Sequence, residues 1–87
     1  MNVYLIYNRE TPGERLISDY AKRLEAATTA YELIDADSPR GIGLVEALDV
    51  TGRPAIVVTR DDGSAVQMWQ IAESFPPPQE ISHLARG

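Results

Sequence analysis

Apolar and polar positions along the chain change period from segment to segment, and each change marks an element. Asn2 to Tyr7 carries the unbroken apolar and aromatic run Val3-Tyr4-Leu5-Ile6-Tyr7, which predicts a strand, β1, covered on both faces. Beyond it Leu16, Ile17, Tyr20, Ala21, Leu24 and Ala27 recur at spacings of three and four. That period predicts a helix, α1, from about Pro12 to Ala26 with one buried stripe. Tyr31 to Ala36 reads as a second strand, β2. Ser38-Pro39 then supplies an N-cap and a proline at the first helical position, so a short helix, α2, is expected over Pro39 to Leu48. Gly41 and Gly43 each lower its propensity by about 1 kcal/mol against alanine and predict an irregular first turn.

Ala55 to Thr59 is β-branched and apolar, Asp61-Asp62-Gly63 is a turn signal, and Ala65 to Trp69 is a further extended run. Together they predict an antiparallel hairpin of β3 and β4. Ser74 to Pro78 ends in three prolines, an extended lead-in to a helix α3 over Gln79 to Arg86, ending at Gly87, with Ile81, Leu84 and Ala85 on one face. The order β-α-β-α-β-β-α implies an α/β fold with a mixed four-stranded sheet and helices on both faces. The crossover from β1 to β2 favours parallel pairing, and the hairpin makes the last pair antiparallel.

Composition narrows what such a fold does. With 87 residues, 44% of them hydrophobic and 24% charged, the chain is expected to form one domain over residues 1–87 with an ordinary core. A net charge of −5, with seven arginines and Lys22 scattered rather than clustered, argues against nucleic acid as a partner. No apolar run is long enough for a membrane span, and the opening MNVYLIYNRE lacks a basic stretch and a small-residue cleavage site, so a cytoplasmic protein is expected. The single histidine, His83, has no ligand-like partner spacing, so neither a metal nor another cofactor is expected. There is no cysteine, and cysteine chemistry of every kind is therefore outside this chain's reach.

The loop Tyr7-Asn8-Arg9-Glu10-Thr11-Pro12-Gly13-Glu14, the run Gly52-Arg53-Pro54 leading into β3, and the hairpin through Val66-Gln67-Met68-Trp69 resemble the thioredoxin and glutaredoxin superfamily over nearly the whole chain. The resemblance implies a thioredoxin-like fold with a cis peptide bond between Arg53 and Pro54. In that family a Cys-x-x-Cys or Cys-x-x-Ser opens α1, where amide groups and the helix dipole lower the thiol pKa. The matching residues here are Thr11-Pro12-Gly13-Glu14, so the redox activity does not carry over.

Thr-x-x-Glu is also a capping box, in which Thr11 accepts the amide of Glu14 and Glu14 reaches back to the amide of Thr11. A rival reading gives the α1 N-terminus an anion, with Arg9, Arg15 or Arg53 nearby; Glu10 and Glu14 oppose it. Trp69 is expected beneath the proline segment, His83 at the surface, and Asp35 and Asp37 as strand-end and turn residues. What remains is a redox-inactive, non-enzymatic domain that binds a protein or peptide partner through Thr11, Arg53 and Pro54. Two other classes stand beside it. One is a glutathione-binding, transferase-like enzyme built on Tyr7, although this chain has Gln67-Met68-Trp69-Gln70 where those enzymes carry a Glu-Ser pair. The other is a structural subunit that associates through its sheet edge or helices.

Overall fold

The computed structural model describes residues 1–27 and 29–86. Its elements follow the expected order: β1 (Asn2–Tyr7), α1 (Pro12–Ala26), β2 (Glu32–Asp35), α2 (Pro39–Leu48), β3 (Ala55–Thr59), β4 (Ala65–Trp69), a 3₁₀ turn (Ala72–Ser74) and α3 (Pro78–Ala85). The strands form one mixed sheet in the order β2-β1-β3-β4, with β1 and β2 parallel and the other two pairs antiparallel.

Burial explains why the central strands are almost wholly apolar. β3 is buried at all five positions, because β1 and β4 flank it and helices cover both faces. On one face Val3, Leu5, Ile56 and Val58 meet Ile17, Tyr20, Ala21 and Leu24 of α1 and Ile81 of α3. On the other, Ile6, Ile34, Ala55 and Val57 meet Leu44, Val45 and Leu48 of α2, closed by Val50. Alternate residues of one strand thus serve two separate cores.

Four details depart from the local pattern. β2 is two residues shorter than Tyr31 to Ala36, because the chain turns at once: Ser38 donates its amide to the Asp35 carbonyl at 3.0 Å. α3 starts one residue early, at Pro78, since a proline at the first helical position loses no helical hydrogen bond, and it ends at Ala85; the expected end at Gly87 lies outside the described residues. β4 carries an irregularity opposite Val58/Thr59, where Thr59 pairs with Ala65 and Val58 with Gln67, so Val66 is the extra residue.

The fourth departure is α2, whose first turn is regular despite its two glycines. Ser38 caps it by accepting the Gly41 amide at 3.0 Å while donating to the Asp35 carbonyl at 2.7 Å. Gly41 is needed there for a spatial reason: a methyl group on it would lie 1.9 Å from the Asp35 carbonyl oxygen. The helix can lie this close to β2 only because that side chain is absent.

One long-range bond ties α1 to the segment before α3. The Tyr20 hydroxyl donates to the Pro76 carbonyl at 2.6 Å, and its ring meets Phe75 edge-on at 5.6 Å. Burial pushes the Tyr20 phenol up to about 12; the Arg23 guanidinium opposes that rise and Glu80 adds to it.

Candidate functional site

Pairing directions bring four chain segments to one end of the sheet. β1 and β2 end there, β3 begins there, and β4 runs out there into Gln70. The β1–α1 loop, the β2–α2 turn, the Arg53-Pro54 loop and Gln70 therefore meet, although they lie far apart in sequence.

The start of α1 is built differently from the expected capping box. Thr11 is the N-cap residue, but its side chain caps no amide; its hydroxyl donates instead to the Asn8 carbonyl at 2.7 Å. Glu14 does reach back, to the amide of Glu10 at 2.9 Å rather than that of Thr11. The reason is backbone shape. Glu10 has φ of 60°, a left-handed turn, and the Glu10 amide is the one that meets the helix start. The Glu14 carboxylate thus supplies negative charge at the positive end of the α1 dipole, where the rival reading had an anion.

Pro54 presses on that same helix end. A methyl group on Gly13 would lie 2.9 Å from the Pro54 Cδ and 3.5 Å from the Thr11 hydroxyl, so Thr11 and Pro54 border one point on α1. The Arg53–Pro54 peptide bond is cis. Arg53 is exposed, and its Nε donates to the Asn8 Oδ1 at 2.9 Å. Asn8 in turn donates from Nδ2 to the Asp37 carboxylate at 3.4 Å. One asparagine therefore joins three loops, through its carbonyl to Thr11, through Oδ1 to Arg53 and through Nδ2 to Asp37.

On the other side of the loop, the Gln70 Oε1 accepts the amides of Thr51 at 2.6 Å and Gly52 at 2.9 Å. A side chain on Gly52 would meet the Gln70 carbonyl at 2.7 Å, so the two stretches lie in direct contact. With those two amides taken, the next donor along the loop is the Arg53 N–H. Among the described residues neither that N–H nor the Arg53 carbonyl has a hydrogen-bond partner.

Sequence reasoning named Thr11, Arg53 and Pro54 and missed Asn8 and Gln70, which set their geometry. The available signal was slight: each is a side-chain amide placed directly after a strand. Asp35 stands at the end of β2 and Asp37 in the turn after it, Asp35 accepting the Asp37 amide at 2.9 Å, and the 4.0 Å approach of Arg9 to Asp35 is too exposed to contribute much. Tyr7 is half-buried against the α1 and α3 core, as is Trp69, and His83 is exposed on the last turn of α3.

Among the described residues no cluster of three or more acidic or histidine side chains stands close enough to hold a metal ion. No helix among them is long and apolar enough to cross a membrane. No protein-family model matches the chain, and no curated protein sequence matches it either.

Proposed function

We propose that this chain is a thioredoxin-like domain without redox chemistry that binds an extended segment of a partner protein at the Arg53-Pro54 loop. The mixed sheet with helices on both faces, the cis bond before β3 and the terminal hairpin support the fold assignment. The absence of cysteine removes the thiolate on which the family's chemistry depends. A cytoplasmic setting goes with this reading, because a chain without disulfides needs no oxidising compartment.

A single observation carries the binding reading: among the described residues, neither the N–H nor the carbonyl of the exposed Arg53 has a hydrogen-bond partner. A pair of free main-chain groups is what an added strand uses. The partner's carbonyl would accept the Arg53 amide and the partner's amide would donate to the Arg53 carbonyl. Asn8 holds the guanidinium through Nε, and among the described residues the Nη groups have no partner, so they can meet a carboxylate. Pre-setting that side chain lowers the ordering cost of binding.

The test is an affinity capture from native lysate with the wild-type protein and with Arg53→Glu, after confirming that both unfold at the same temperature. Proteins retained by the first and lost by the second support the reading. If every retained protein stays with both forms, the loop is not the binding site.

A further inference from the structure

One oxygen of Gln70 accepts three donors at once: the Thr51 amide at 2.6 Å, the Gly52 amide at 2.9 Å and the Thr51 hydroxyl at 3.1 Å. A carbonyl oxygen has two lone pairs, so these donors exceed what the Gln70 Oε1 can fully meet. Successive amides that converge on one point form a cradle for an anionic oxygen, which accepts such bonds at about twice the strength of a neutral one. Thr51 is exposed, so the cradle opens on solvent. Among the described residues the Gln70 Nε2 makes no hydrogen bond, and the polar end of the side chain is held through Oε1 alone. Along the chain the flanking charges are of both signs: Arg53 follows Gly52, and Asp49, with φ of 57°, stands two residues before Thr51.

We propose that Thr51 and Gly52 form a binding site for a carboxylate, and that Gln70 is a latch that fills this site until such a ligand displaces it. The carboxamide of glutamine has the planar shape of a carboxylate, so the present occupant shows which acceptor fits. The donors are those of Thr51 and Gly52, not the open main-chain groups of Arg53, and the two sites stand or fall separately. Exchange is favoured by charge: the incoming oxygen brings a negative charge to the same three donors, while the neutral Gln70 amide returns to water. The tether opposes exchange, because a side chain of the same molecule competes at an effective concentration of about millimolar or more. The apparent affinity of a ligand falls by the fraction of time that the cradle is open. Gln70 thereby sets a threshold for entry. A free carboxylic acid and a glutamate side chain of another protein present the same group, and acetate and a glutamyl peptide tell them apart.

The backbone amide signals of Thr51 and Gly52, followed by NMR on the full chain at fixed ionic strength, test this. The probes are sodium acetate and the blocked peptide acetyl-Gly-Glu-Gly-amide, with acetyl-Gly-Gln-Gly-amide as the uncharged control. In Gln70→Ala a carboxylate probe should shift both amides saturably and bind about tenfold more tightly than to the wild type, whereas the control peptide should leave them in place. Tighter saturation by acetate assigns a free carboxylate, and tighter saturation by the glutamyl peptide assigns a protein side chain. Gln70→Glu supplies the carboxylate from within: its introduced carboxyl should titrate below the ordinary glutamate value of about 4.3, since three donors favour the charged form. Circular dichroism shows that each variant is folded, and Gln70→Glu alone decides the matter if Gln70→Ala is not. No saturable shift in Gln70→Ala, an equal affinity in the wild type, or an ordinary titration of the introduced carboxyl would each overturn the latch.

Discussion

Gly41 and Gly43 stand two residues apart in α2, and the structure assigns them opposite responses to the same substitution. A methyl group on Gly41 would lie 1.9 Å from the Asp35 carbonyl oxygen, 2.8 Å from its carbon and 2.9 Å from the Ala36 Cα. These are main-chain atoms at the end of β2 and cannot rotate aside, so α2 must retreat by about 1.5 Å to reach ordinary contact. Overpacking of this kind costs about 1–3 kcal/mol. The shift also pulls the Gly41 amide from Ser38, a cap that contributes about 1 kcal/mol. Against these losses alanine returns about 1 kcal/mol of helix propensity, and the net expectation for Gly41→Ala is a loss of about 1–3 kcal/mol. Gly43 has nothing within 4 Å of its would-be methyl, so Gly43→Ala keeps the propensity gain and stabilises by about 0.5–1 kcal/mol. Urea unfolding of the two variants and the wild type, followed by the single tryptophan Trp69, reads the difference directly. The two variants should differ by about 3 kcal/mol, or roughly 12–24 °C in melting temperature for a domain of this size. A Gly41→Ala midpoint at or above wild type would refute the close approach of α2 to the end of β2.

Tyr20→Phe removes the bond to the Pro76 carbonyl and should cost about 1–2 kcal/mol near neutral pH in the same unfolding assay. The folded phenol titrates near 12 against an ordinary 10.0, so its contribution is complete below about pH 10 and is lost as the pH rises through 12. The gap between wild type and Tyr20→Phe should therefore narrow at about pH 11; a constant gap would contradict the assignment. Asn8→Ala frees the Arg53 side chain and should weaken Arg53-dependent peptide binding severalfold while costing no more than about 1 kcal/mol of stability, a split that titration calorimetry and urea unfolding would show. In the hairpin, the Ser64 hydroxyl and then the Ser64 amide hold the Asp62 carboxyl below its ordinary range. Ser64→Ala should raise the Asp62 pKa in an NMR titration, and an unchanged titration would show that the hydroxyl bond is absent in solution.

Local pattern was enough for most of the architecture, because the periods that define helix and strand arise within a few residues. The bounds of β1, α1, α2, β3 and β4 coincide with those read from apolar spacing and turn residues, and the two-sided covering of β1 follows from its unbroken apolar run. What the spacing could not carry was contact between distant segments. The β2 end depends on how quickly the chain turns toward α2, and the residue opposite the Val58/Thr59 irregularity depends on strand register. Gly41 reads locally as a weak helix former, whereas its use is to admit the backbone of another element. Thr11 and Glu14 read as a reciprocal cap, and the left-handed backbone at Glu10 moved that bond one residue upstream. Arg53 and Pro54 stood out in the sequence through the resemblance of their loop. Asn8 and Gln70 did not, since their bonds to that loop span 45 residues in one case and 18 to 19 in the other. Sequence by itself thus determined the elements and the lack of thiol chemistry. Only the tertiary structure decided which polar groups at the end of the sheet are satisfied and which, at Arg53, are left open, because hydrogen bonds between loops exist only once the strands have brought those loops together.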